Sequence, residues 1–237
     1  MSKWRLSFDL RNVKALLWAY AGVFAYTLWG ILFNVNGFSF SFREPYYIMA
    51  KDFYLLADFI MPILMMFTVL LLFSEDFGKG SWQFISSLPV SRLRFLLVRY
   101  LRVFMLLFTA QTALLFIFVL RVNNALGTVI SLPRILSLTA PTAMFLMALA
   151  LFSIVMTRRA FYGIIICGGY VLVDASSTGN FFGGHTIFIS MYVHGFSPGR
   201  IVYNRTLFFV LSLVLVFLAC LIFRSKIYAR ALKRTNL

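Results

Sequence analysis

Acidic residues are scarce in this chain: 7 Asp and Glu stand among 237 residues, against 22 Lys and Arg. Charge of either sign makes up only 12% of the sequence, where an ordinary soluble domain carries about a quarter. Cysteine is scarcer still. Cys167 and Cys220 lie in separate apolar runs and read as small buried hydrophobes, without a redox or metal pattern. There is no low-complexity linker and no internal repeat. Together these shortages exclude the disulfide-stapled secreted module and the average soluble enzyme. The chain also lacks a Ser/His/Asp set, paired catalytic carboxylates and an intramembrane metal cluster. No catalytic residue, metal or cofactor is therefore assigned to it.

What fills the space is apolar, which excludes a disordered chain as well. Hydrophobic residues make up 62% of the sequence, Phe alone contributes 28 residues, and the mean hydropathy is +0.90. Six apolar runs stand out, at 15–35, 53–73, 98–120, 135–156, 160–175 and 206–223. Each is near the length of about 20 residues that a helix needs to cross the hydrocarbon. Lipid offers no partner to bare backbone, so an open spanning element must be a helix. The period-2 alternation of a membrane barrel is missing. The expected fold is all-α: a polytopic membrane protein with six transmembrane helices in a single domain over 1–237. The first run follows a basic leader at 1–14. It is too long for a signal peptide and no small-x-small cleavage site follows it, so it is expected to stay as the first helix.

The net charge of +15 has two meanings. On a soluble protein it would suggest nucleic acid; on a membrane protein it reports topology. With the N-terminus placed inside, 16 basic residues fall on the cytoplasmic side and 6 outside. The excess is thus a topology signal, with both termini cytoplasmic and no nucleic-acid partner. In the leader, Leu6, Leu10, Val13 and Leu17 share one face among Lys3, Arg5, Arg11 and Lys14, which suits the membrane surface. The loop at 176–205 is the longest outer one, yet it carries Phe181, Phe182, Ile187 and Phe188. It is expected to dip back toward the membrane or to cover the outer end of the bundle.

Several residues invite a role. Asp58 and Pro62 in the second run are candidates for a substrate path, as an intramembrane charge and a kink; pairing with a neighbouring helix and simple packing are the plain alternatives. Pro141 would kink the fourth run in the same way. Asp174, near the end of the fifth, is expected to be solvated at the interface. Arg92, Arg99 and Arg102 are expected on one side of the third helix, snorkelling to headgroups or touching a partner. His185 and His194 make no metal site. Gly78-Lys79-Gly80-Ser81 lacks the first glycine and the preceding strand of a phosphate loop, so nucleotide is not expected on this chain. Asn204-Arg205-Thr206 fits a glycosylation sequon by chance, because it abuts the membrane.

One segment, 74–91, carries a mechanism. Ser74 can cap a helix, Glu75 and Asp76 suit its positive end, and Phe77, Ser81, Phe84, Ile85 and Leu88 share a face. Pro89 stops it and Ser91 can cap the next helix. The expected element is a short amphipathic helix across the cytoplasmic end of the bundle. Gly78 and Gly80 each weaken it by about 1 kcal/mol.

The succession Glu75, Gly80, Ser81, Ser87, Leu88, Pro89, Val90, Ser91, Arg92 directly after the second run resembles the ABC-2 type permeases, the membrane subunits of a class of ATP-binding-cassette transporters. The six-run layout and the basic leader match along most of the chain. Where the family carries a further acid after the Gly-Thr pair, this chain has Trp82 and Gln83. The resemblance implies a coupling helix from Glu75 to Leu88. It docks on a separate ATPase through Glu75, Asp76, Gly80, Ser81, Trp82, Phe84, Leu88, Pro89 and Arg92. It implies a second permease copy or a sister permease as partner, with membrane lipid around both. The location implied is the plasma membrane, of a bacterium. The chain itself is then no enzyme; ATP is hydrolysed by the partner. Few intramembrane charges favour an amphipathic or hydrophobic cargo for export, a peptide or antibiotic first, a lipid or drug otherwise. The rivals are an ion-coupled secondary transporter and a non-transporting membrane scaffold or assembly subunit.

Overall fold

The computed structural model describes residues 40–42, 48–50, 59–76, 91–126, 132–177, 185–188 and 197–224, with 18, 21, 22, 24–26, 28 and 29 from the first run. Five helices follow one another: α1 Met61–Asp76, α2 Arg92–Leu126, α3 Leu132–Thr157, α4 Ala160–Ser176 and α5 Pro198–Arg224. The described positions of the first run are helical too, and Phe24 and Leu28 pack against the core.

Among the described residues the fold is all-α apart from one short hairpin. Strands β1 Phe40–Phe42 and β2 Ile48–Ala50 pair antiparallel, with Ser41 opposite Met49. The alternating Phe40-Ser41-Phe42 and the Pro45 after it are local strand and turn signals, short enough to be lost beside the long apolar runs.

Contacts along the helices fix their directions. Phe145 and Tyr170 stack at 5.4 Å, Cys167 donates weakly to Ser153 at 3.5 Å, and Gly163 lies beside Ile154. As numbers rise on α4 they fall on α3, so the two run antiparallel. On α5 the order is the reverse. Arg205 meets Thr142 and Phe208 meets Phe145, so α3 and α5 run parallel.

The tight α3–α4 connection makes the first of these arrangements possible. Arg158 takes a left-handed conformation, φ 58°, and its N–H donates to the Ile154 carbonyl at 2.8 Å. That closes α3 with a left-handed cap, and α4 starts at Ala160.

Helix α3 is the centre of the bundle and touches the other four. In its apolar window 78% of residues are buried, against 33% in α2 and 28% in α5. Its composition allows this. Ala143, Ala148, Ala150 and Ser153 are small and buried, so neighbouring backbones approach closely. Gly163 on α4 makes another close approach, to a side chain of α1. A Cβ there would stand 2.7 Å from Leu70 Cδ2 on α1.

Three helices, Leu93–Leu120, Ile135–Thr157 and Gly199–Arg224, are long and apolar enough to cross a membrane; Met61–Ser74 and Ala160–Ser176 are apolar but shorter. The outward faces agree with lipid rather than water. Leu172 is 71% exposed, Phe161 67% and Phe217 61%. Apolar faces of this extent mark a membrane or partner surface. Cys167 and Cys220 are buried and free, in α4 and α5.

Candidate functional site

The segment read as a coupling helix is framed at both ends. Ser74 does not cap a new helix. Its hydroxyl donates to the Leu71 carbonyl at 2.8 Å, inside the last turn of α1. Glu75 and Asp76 are the last two residues of α1 and not the first turn of a following helix. The physical reason is continuity: an apolar run already in helix gains one backbone bond per added residue, whereas a new helix must be nucleated. At the other end Ser91 does cap. The Arg94 N–H donates to Ser91 Oγ at 3.3 Å and the Phe95 N–H to the Ser91 carbonyl at 3.0 Å. Arg92 opens α2. Gly80, Ser81, Trp82, Phe84, Leu88 and Pro89 lie outside the described residues, as does Asp58.

Pro62 is buried in the first turn of α1, directly after a wider π-type turn at 59–60. Proline has no N–H to give, so the backbone ahead of it departs from regular α-helix there. Arg99 and Arg102 of α2 have different surroundings. Arg99 is half-buried, reaches within 3.5 Å of the Leu72 carbonyl and lies over the rings of Phe73 and Phe95 at 5.6 and 5.8 Å. Such distances suit cation–π attraction. Arg102 is exposed.

The most organised polar site lies at the opposite end of the bundle, and two residues that the sequence assigned to the surface build it. Asp174 on α4 is fully buried and Arg205 on α5 nearly so. Between them sits the backbone of one residue, Ile187. The Ile187 N–H donates to Asp174 Oδ2 at 2.9 Å, and its carbonyl accepts from both terminal guanidinium nitrogens of Arg205 at 3.1 Å. Thr186 Oγ1 donates to the same carboxylate oxygen at 2.9 Å. Thr142 on α3 donates to the Ile187 carbonyl at 2.8 Å and accepts from Arg205 at 2.7 Å. The Phe188 N–H donates back to Thr186 Oγ1 at 3.1 Å. A segment from the long loop is thus clasped by α3, α4 and α5 at once. Phe188 then packs on Phe59 at 4.7 Å, at the start of α1.

Both surface expectations are corrected by this arrangement. Asp174 is not solvated at an interface; protein donors replace water around it. Arg205 is not a loop charge, because α5 begins at Pro198 and carries it inward. The expectation that the apolar loop covers one end of the bundle fits 185–188, where Ile187 and Phe188 are fully buried. Asn204 is fully buried in α5, so the sequon cannot be presented there. Its Nδ2 and Oδ1, like Asp174 Oδ1, have no hydrogen-bond partner among the described residues. His185 stacks obliquely on Tyr203 at 5.6 Å.

Chemically the clasp binds backbone. Its one carboxylate and one guanidinium lie on either side of the Ile187 backbone, and the hydroxyls of Thr142 and Thr186 are spent on the same hydrogen bonds. Among the described residues no group of three His, Cys, Asp or Glu could hold a metal ion. A signal for the pair was present in the sequence: two opposite charges at the edges of apolar runs, flanking a loop too apolar for water. No family model, curated protein or solved structure matches the chain. The likeness to ABC-2 permeases therefore rests on the sequence: the succession from Glu75 to Arg92, the six-run layout and the basic leader.

Proposed function

We propose that the chain is the membrane permease of an ATP-driven exporter. Six helices cross the membrane with both termini cytoplasmic, and the segment between α1 and α2 couples to a separate ATPase. The observation that carries the reading is the frame of that segment. Asp76 ends one packed helix and Ser91 caps the next, so 77–90 joins α1 to α2 at one end of the bundle. A push there acts on both helices directly, and α3 contacts each of them. Two such halves, as a homodimer or with a sister permease in a bacterial plasma membrane, release an amphipathic or hydrophobic cargo. The few intramembrane charges favour cargo of that kind, a peptide or antibiotic first and a lipid or drug otherwise.

The decisive experiment is co-purification from mild detergent followed by ATP turnover. An ATP-binding-cassette ATPase is expected to travel with the chain, and Glu75→Ala with Leu88→Ala is expected to weaken its binding and its turnover. Absence of such a partner, or unchanged turnover and binding in the double variant, overturns the reading. An ion-coupled transporter is disfavoured by the state of Asp174. Its Oδ2 is committed to Thr186 and Ile187, and Arg205 offsets its charge across the Ile187 backbone.

A further inference from the structure

We propose that the groove between α2 and α5 holds one acyl chain of an anionic phospholipid, with the phosphate at the end formed by Leu93 and Arg224. The groove has a volume of about 460 Å³ and Met144 of α3 closes its back. That volume falls in the range of about 300–1,000 Å³ usual for ligand sites. Leu97, Leu101 and Phe104 form one wall and Val216 and Phe217 the other. Ser212, also in the lining, already donates to the Phe209 carbonyl at 2.6 Å, so it asks nothing of a ligand. No carboxylate lines the groove.

Length and charge decide the occupant. From Leu93 to Phe104 the α2 wall rises about 16 Å, at about 1.5 Å per residue. That is close to half of the hydrocarbon thickness of about 30 Å, the depth of a single leaflet. An acyl chain has that length and needs no polar partner along it. At one end the chemistry changes. Arg224 stands in the last turn of α5, beside the first turn of α2. The positive end of the α2 dipole favours negative charge there. Arg94 is exposed on the same turn. A phosphate there meets charge of the complementary sign. A neutral hydrophobic cargo would leave the basic end unused. The inference needs the membrane location but not the ATPase partner.

The test is native mass spectrometry of the full-length protein, released from nanodiscs of phosphatidylcholine with a minor fraction of phosphatidylglycerol. No ATPase is present, so the result speaks to lipid alone. The wild type is expected to keep one phosphatidylglycerol in preference to phosphatidylcholine. Arg224→Gln, an exposed change, is expected to lower that preference roughly fivefold. Val216→Trp fills the groove and is expected to strip the retained lipid of either kind. Equal retention of the two lipids by the wild type overturns the proposal, as does wild-type preference in both variants. A dimer mass that Val216→Trp converts to monomer, with lipid retention unchanged, overturns it too and assigns the groove to a second copy of the chain.

Discussion

The clasp around Ile187 makes a quantitative demand on its two charges. Arg205→Met removes the guanidinium bonds to the Ile187 carbonyl and leaves the Asp174 carboxylate buried without a counter-charge. Asp174→Asn keeps the shape and an acceptor for Thr186 and Ile187, but it strands the Arg205 cation. Breaking a buried pair from one side costs about 3–5 kcal/mol. The double variant leaves no buried charge and forfeits mainly hydrogen bonds, about 1–2 kcal/mol. The two effects should therefore be strongly non-additive, with a coupling of at least about 4 kcal/mol. Amide exchange in detergent reads this locally, because the Ile187 N–H is protected only while Asp174 accepts it. A local loss of about 3 kcal/mol is roughly a hundredfold in exchange rate. Either single variant should speed Ile187 exchange by that order, and the double variant by much less. The reasoning fails if the double variant is as damaged as the two singles combined. It fails equally if Ile187 exchanges at one rate in all four proteins.

Two further expectations concern packing. Gly163→Ala should lower the melting temperature in mild detergent, by the equivalent of about 1–3 kcal/mol for overpacking. The new Cβ meets Leu70 Cδ2 at 2.7 Å in a fully buried position. In a Leu70→Ala background the same change should be close to neutral; a full penalty there refutes the contact. Arg158→Gly should be more stable than Arg158→Ala by about 1 kcal/mol, since both lose the side chain and only glycine takes φ 58° freely. Equal melting of those two variants would remove the left-handed cap from the account.

The apolar runs made most of the helical fold legible, but they located helices better than helix ends. A run marks where hydrocarbon is needed, while the helix goes on for as long as backbone bonding continues. Helix α2 extends back to Arg92 because Ser91 caps it, in a stretch too basic to count as apolar. Helix α5 begins at Pro198, where proline suits a first turn, eight residues before the run becomes apolar at Thr206. That early start is what turned Arg205 from a loop charge into a buried one. Ser74 shows the same limit at the scale of one side chain. Its hydroxyl can cap a helix that starts or bond back within one that continues, and only the course of α1 decides between them. The strand signal at Phe40–Phe42 was local and readable, but its three residues are overshadowed by runs seven times as long.

The clasp itself was legible only in part: Asp174 and Arg205 mark the edges of apolar runs, but nothing in the sequence pairs them. Its partners are Thr142, Asp174, Ile187 and Arg205, one from each of four segments that no periodicity relates. Its strength comes from closing all of them around the backbone of one residue, so no single residue identifies the others. The clasp spends the Asp174 Oδ2, Thr142, Thr186 and terminal Arg205 groups on one another and on the Ile187 backbone. At the other end, where Ser91, Arg94 and Arg224 lie, basic groups stay at the surface beside the groove. The bundle therefore has one end tied across α3, α4 and α5 and one end whose charges remain free to meet phosphate or protein. Movement of α1 and α2 driven from the second end reaches the clasp through α3, which packs against both. Separating α3 from α5 there breaks the bond from Arg205 to Thr142, and freeing α3 from the Ile187 segment breaks the bond from Thr142 to the Ile187 carbonyl.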